Sequence, residues 1–176
     1  MAHAAQRRFC REVKERFPEF FHQTRVLEIG SRNINGSLRE LFSNSEKYVG
    51  VDVEPGPDVD IVCLGHEYAA LPESFDVVCS AEAFEHDPYA SRTIHQMLRY
   101  LRPGGLFFMT CAGEGRPEHG TSRTGKCYGP QSDFYRNVTV RDFQEWAGLR
   151  EDVFPEHDLR HNAHIGDLYF WGIKRK

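Results

Sequence analysis

Short apolar runs alternate along the chain with longer segments of mixed character, a pattern that predicts strands separated by helices. The clearest unit runs from Arg25 to Gly36. Val26-Leu27-Glu28-Ile29 is apolar but for one acid and stops at Gly30, as a buried parallel strand stops at a turn. Beyond it, Asn33 or Asn35 is placed to cap a helix with Leu38, Leu41 and Phe42 on its apolar face, and Gly36 lets the backbone approach a ligand. A strand, a glycine turn and a helix start would together offer free N–H groups and the positive end of a helix dipole. About twenty residues on, Tyr48-Val49-Gly50-Val51-Asp52 is a second run, ending in a carboxylate suited to two ribose hydroxyls. The two halves predict a nucleoside-bearing ligand lying across adjacent strand ends.

The remaining elements follow from the same patterning. Phe9, Val13 and Phe17 recur at four-residue spacing, which predicts a helix over 3–17 stopped near Pro18, either packed on the sheet edge or lying over the ligand as a lid. Glu54 to Asp58 has turn composition, and Val59 to Val62 and Phe75 to Ser80 read as strands. Ile94, Met97, Leu98 and Leu101 mark one face of a helix, Arg102-Pro103-Gly104-Gly105 a turn, and Leu106 to Cys111 a wholly apolar strand. Thr139 with Asp142 resembles a capping box for a helix that turns Val140, Phe143 and Ala147 inward. The last two strands are expected near Glu151 to Phe154 and over Leu168 to Ile173. Ala112 to Pro130 carries five glycines and no periodicity. A loop of that length leaving the end of a strand reads as a substrate loop, which we extend over 112–137.

Glu28-Ile29-Gly30, Asp52, Phe75-Asp76-Val77-Val78-Cys79-Ser80 and Leu101-Arg102-Pro103-Gly104-Gly105 resemble, in order and spacing, the class I S-adenosylmethionine-dependent methyltransferases, most closely the type 11 group. The likeness covers Arg25 to Cys111, with a weaker echo at Asp133 to Thr139. It implies a single α/β domain: a three-layer sandwich around a Rossmann-like, mostly parallel seven-stranded sheet with an antiparallel last strand. It implies S-adenosylmethionine as cofactor, with Glu28, Gly30, Ser31 and Arg32 around the methionine end, Asp52 and Val53 at the ribose, His66 and Glu67 at the adenine, and Ser80 flooring the site. One departure stands out: the family carries a second glycine two residues after the first, where this chain has Arg32, so a longer or differently folded loop is expected.

Methyl transfer from a sulfonium needs alignment more than a catalytic triad, since positioning alone can supply about 7–11 kcal/mol. A base is required only for a protonated acceptor. The candidates are His86, after Glu85 beyond the fourth strand, and His119 in the glycine-rich loop; either could instead order the rim or touch substrate. Tyr135 and Arg136 could line the acceptor pocket or tie the loop down. Asp87-Pro88-Tyr89 resembles the signature of enzymes that methylate amino groups of bases, but it lacks a proline and lies beyond the strand end. Glu156, His157, Asp158, His161 and His164 are metal-capable, yet no ligand set is complete, and a solvated connection between strands is expected there with no metal site.

Composition narrows the partners. The chain has 176 residues, 40% hydrophobic and 27% charged, which suits one soluble domain, and no apolar run is long enough for a membrane span. A net charge of −4 argues against a broad nucleic-acid footprint, so a small-molecule or glycan hydroxyl is the expected acceptor. Five scattered cysteines, with no Cys-x-x-Cys and no signal-peptide core at the charged N-terminus, point to free thiols in the cytoplasm. Two other readings remain at this point: a nicotinamide-dependent oxidoreductase, although Gly30 to Asn35 does not supply its glycine pattern, and a non-catalytic cofactor-binding module on the same frame.

Overall fold

The apolar runs pair into one sheet. A computed structural model describes residues 4–42, 44–129, 133–150 and 152–176. The strands are β1 (Arg25–Ile29), β2 (Lys47–Asp52), β3 (Ile61–Val62), β4 (Phe75–Ala81), β5 (Leu101–Ala112), β6 (Glu156–Asn162) and β7 (Asp167–Ile173), in the order β3-β2-β1-β4-β5-β7-β6. β1 pairs in parallel with β2 and β4, β2 with β3, and β4 with β5. β7 runs against both of its neighbours, so it alone is reversed among the described strands.

Alternation of side chains along the inner strands feeds two cores, one on each face. On one face Leu27, Val78, Phe107 and Phe170 pack beneath α2 (Ala90–Tyr100) and α3 (Val140–Trp146). On the other, Val26, Val77 and Phe108 pack against α1 (Ala4–Arg16) and two 3₁₀ turns, Pro18–Phe21 and Leu38–Phe42. α1 buries Phe9, Cys10 and Val13, and Phe9 stacks on Tyr169 at 4.9 Å between ring centroids. It therefore covers the sheet, not the ligand side as a lid would. The capping box that starts α3 is formed in both directions between Thr139 and Asp142.

Three expectations change. The segment after Gly36 is a five-residue 3₁₀ turn and not an α-helix, with the Asn33 side chain accepting from the Gly36 N–H at 2.9 Å. Arg102 to Gly105 is drawn into a longer β5. Pairing there jumps from Phe75–Leu101 to Val77–Leu106, and the extra residues turn out through Gly104 at φ +69°. The sixth strand is not at Glu151 to Phe154. Glu151 lies outside the described residues, Asp152 and Val153 form a turn, and the histidine-rich stretch Glu156–Asn162 is itself the edge strand, polar and largely unburied as suits a sheet edge.

Candidate active site

A cavity lies over the carboxyl ends of β3, β2, β1 and β4, where the strand order turns back on itself between β1 and β4, the place at which open α/β sheets take their ligands. Its wall includes Glu28, Gly30, Ser31 and Arg32 from the end of β1, Asp52 and Val53 from β2, and Cys63 to Gly65 after β3. Glu82 to Phe84 and His86 to Pro88 follow from β4, and His119 and Tyr128 from the glycine-rich loop. The two halves read from the sequence, residues after Gly30 and the carboxylate of Asp52, thus face one cavity.

They do not face it as free amides. The N–H groups of Gly30 and Ser31 both donate to the Val51 carbonyl (2.8 and 3.1 Å), and that of Asn33 to the Pro57 carbonyl at 3.0 Å. The Arg32 N–H donates to the Asp52 carboxylate at 3.0 Å, and the Glu54 N–H to its other oxygen at 3.1 Å. Asp52 is therefore a braced acceptor, half-buried, with each oxygen keeping capacity for a further donor. With the amides of 30–33 spent and only a short 3₁₀ turn beyond, the loop after β1 offers the cavity no α-helix N-terminus among the described residues. Gly30 has φ +80°, and a methyl placed on it would lie 2.4 Å from the Ala83 Cβ, so the β1 and β4 rims close tightly on each other.

The wall is rich in carboxyl groups. Glu28 is buried; desolvation pushes its carboxyl up to about 8 against the pull of the Tyr48 hydroxyl, which donates to it at 2.7 Å. Burial likewise raises Glu82 to about 8, with the neighbouring Glu85 adding to the effect. Glu82 is also held at φ +58°, a conformation that a non-glycine residue adopts at a cost and that often marks a working site. Neither Glu82 nor Glu85 stood out in the sequence reading. The available signal was two acids three residues apart directly after an apolar strand.

Over this wall the loop after β5 folds as a roof. Tyr135 donates to the Pro117 carbonyl at 3.2 Å, Asn137 to the Arg116 carbonyl at 3.0 Å, and Arg116 pairs with buried Asp167 at 2.7 Å. Arg32 donates to the Tyr128 carbonyl and so ties the far side of the loop to the cofactor-side rim. Arg136 pairs with Asp142 and lies over the Trp146 ring, away from the cavity wall. His86, His119 and Tyr135 meet edge to face, with ring centroids 5.2 to 5.5 Å apart.

Three expected site residues stand elsewhere. After Cys63–Gly65 the chain enters a helical turn, with Glu67 and Tyr68 N–H groups donating to the Leu64 carbonyl, which carries His66 and Glu67 off the wall. His66 instead packs on Tyr89 at 4.6 Å. Ser80 is buried one residue short of the wall, which its successors Ala81 and Glu82 reach.

The strand order with its reversed β7, the cavity over the crossover and the acid ending β2 together define a class I S-adenosylmethionine-dependent methyltransferase fold. Sequence comparison carries this further: a family model described as a methyltransferase domain matches residues 1–164, and the chain belongs to that family. No curated protein matches the sequence closely enough to count as a relative. Among solved structures, the chain is similar to Haemonchus contortus phosphoethanolamine N-methyltransferase 2 in complex with phosphomonomethylethanolamine and S-adenosylhomocysteine. The identity is 20% and the TM-score 0.66, over 95% of this chain and 52% of that one, so the chain spans about half of that protein. Burkholderia thailandensis 1,6-didemethyltoxoflavin-N1-methyltransferase is 16% identical with a TM-score of 0.66, over 98% and 79% of the two chains. The [4+2]-cyclase SpnF is 15% identical with a TM-score of 0.67, over 97% and 81%. No helix among the described residues is long and apolar enough to cross a membrane.

Proposed function

We propose that this domain transfers the methyl group of S-adenosylmethionine to an oxygen of a small-molecule or glycan acceptor. The observation that carries the reading is the single cavity shared by Asp52, the Gly30–Arg32 turn and the two histidines His86 and His119. The residues suit this cofactor. Asp52 offers acceptor capacity to ribose hydroxyls, and Ile29, Val51 and Leu64 give an apolar bed for a base. Ser31 Oγ and Glu82 Oε2, both buried on the wall without a hydrogen-bond partner, supply acceptors for an ammonium group. When bound, the cofactor brings an electrophilic methyl on a sulfonium leaving group. The chain's part is to hold the acceptor in line, keep water out beneath the 112–137 loop, and receive the acceptor's proton at His86 or His119.

The same wall counts against a nicotinamide dinucleotide. A pyrophosphate needs free amides at a helix N-terminus, whereas here the amides of 30–33 are hydrogen-bonded internally and the wall carries four carboxyl groups, Glu28, Asp52, Glu82 and Asp87, against one guanidinium, Arg32. The five free thiols, three of them buried, favour a reducing, cytoplasmic setting. Calorimetry with S-adenosylmethionine and with NAD, followed by turnover of labelled cofactor over a panel of hydroxylated acceptors, tests the reading. Cofactor binding with label appearing on oxygen is expected. Label on nitrogen only would overturn the choice of acceptor atom, and binding without turnover across the panel would favour the non-catalytic module.

A further inference from the structure

Where His86 and His119 line the cavity, buried Glu85 converges on them from behind the wall, an arrangement not explained by methyl transfer alone. Glu85 is wholly buried, and neither carboxylate oxygen makes a hydrogen bond of ordinary geometry, although the amides of Glu85 and Ala112 and the Glu82 side chain lie close by. Facing it, 3.8 Å from Oε1, is Nε2 of His119, itself buried and without a hydrogen-bond partner. The tautomer of that ring is set from behind. Nδ1 lies 3.1 Å from the Pro117 carbonyl, which can only accept, so Nδ1 carries the hydrogen and Nε2 is the basic nitrogen. His86 is oriented in the same way, its Nδ1 donating to the Phe134 carbonyl at 3.0 Å. A buried carboxylate facing a basic nitrogen is two acceptors with nothing to share, a costly pairing unless a proton or a cation stands between them.

We propose that Glu85, His86 and His119 form a binding site for a divalent first-row transition cation such as Zn²⁺ or Mn²⁺. One ligand atom from each residue lies within 4.8 Å of the other two. Metal–ligand bonds of about 2.0–2.2 Å require a closer cluster than this, so binding draws the residues together. The movable partner is His119, which sits next to Gly120 at φ +72° in the loop, while Glu85 and His86 are fixed on a 3₁₀ turn after β4. Two imidazoles and one carboxylate, each imidazole fixed through its other nitrogen by a carbonyl, is a donor set that suits such cations and leaves coordination positions open. Cation binding would therefore pull the roof loop onto the β4 rim. If the transfer reading above holds, an open position facing the cavity would take the acceptor's oxygen and lower the pKa of its hydroxyl. His86 and His119 would then act through the cation and not as the base.

The test uses the whole protein stripped with a chelator, dialysed and titrated by calorimetry with Zn²⁺ or with Mn²⁺. One equivalent should bind. Since loss of a group that merely orients a ligand costs about 10–100-fold in affinity, Glu85→Gln and His119→Gln should each lose at least that much. His164→Gln, in the exposed turn before β7, should lose nothing. Without any substitution, Mn²⁺ should broaden the ring-proton resonances of His86 and His119 before those of His157, His161 and His164. No saturable binding, binding unaffected by both ligand substitutions, or broadening that begins at the β6 histidines would overturn the proposal and leave the Glu85 carboxyl held by a proton. Neither cofactor nor acceptor enters the titration, so such a failure leaves the transfer reading standing.

Discussion

Gly30 offers a test of how tightly the cofactor rim is built, because two separate costs converge on one missing methyl. An alanine there must hold φ +80°, a left-handed conformation that costs an L-residue about 1–2 kcal/mol. Its Cβ would also sit 2.4 Å from the Ala83 Cβ, an overlap that forces the β4 rim aside at roughly 1–3 kcal/mol by analogy with overpacked cores. Gly30→Ala should therefore cost about 2–5 kcal/mol in all. The two costs separate in a double-mutant cycle. Once Ala83→Gly removes the second methyl, the nearest atoms to the new Cβ are the Ala83 Cα at 3.6 Å and the Ala81 carbonyl at 4.0 Å, both ordinary contacts. Ala83→Gly alone should cost about 0.4–1 kcal/mol through the unfolded chain. In its background Gly30→Ala should cost only the backbone strain, so the pair should show a coupling of about 1–3 kcal/mol. Urea denaturation of the four proteins at matched m-values measures it. If Gly30→Ala costs the same with and without the Ala83 methyl, the rims are not in contact as described and the reasoning fails.

Three other carboxyl groups carry expected outcomes of their own. Asp52→Asn keeps one acceptor oxygen where two amides now donate, so about 1–3 kcal/mol of stability should be lost and S-adenosylmethionine binding should weaken; unchanged binding by calorimetry would remove Asp52 from the site. Glu28 holds its proton in the folded state up to about pH 8 but loses it near pH 4.5 when unfolded, so its contribution to stability falls as pH rises across that window. Glu28→Gln, which keeps an acceptor for Tyr48, should therefore raise Tm at pH 8 relative to the parent and change it little at pH 4. Burial would raise the Asp76 carboxyl, but Arg25 and Arg102 together bring it down to about 2. That contribution is complete above pH 4 and lost as pH falls towards 2, so Asp76→Asn should flatten the acid limb of a stability profile.

The sheet was legible where burial on both faces left continuous apolar runs: β1, β2, β4, most of β5 and β7 fall where their residues place them. β6 was not, because an edge strand needs no apolar alternation. Glu156–Asn162 has the composition of a solvated loop and becomes a strand only by pairing with β7. Helix type was lost at 38–42 for a related reason: Leu38 and Phe42 are buried as the pattern requires, but a single tight turn satisfies that spacing as well as a longer helix does. At the site, the residues expected beside the ends of β1 and β2 line the cavity, while His66, Glu67 and Ser80 do not: a local turn carries the first two off the wall and Ser80 stops one residue short of it, neither of which leaves a mark at the level of composition.

Arg32 stands where the resembled family carries a second glycine, and its side chain gives this rim a tie that glycine could not. Its amide closes onto Asp52, as the amide of any residue but proline could, while its guanidinium reaches across to the Tyr128 carbonyl. The loop thereby braces the Asp52 carboxylate on the cavity wall and gains a tie to the roof on the opposite side. The wall offers carboxyl groups and not free amides, which under the proposed function suits a ligand whose reacting end carries positive charge and does not suit one built on phosphates. His119 on that wall faces the buried Glu85 carboxyl behind it at 3.8 Å. Under the two proposals above, both ends then rest on a carboxyl group held for a partner: half-buried Asp52 for the donors of the cofactor, and wholly buried Glu85 for a cation.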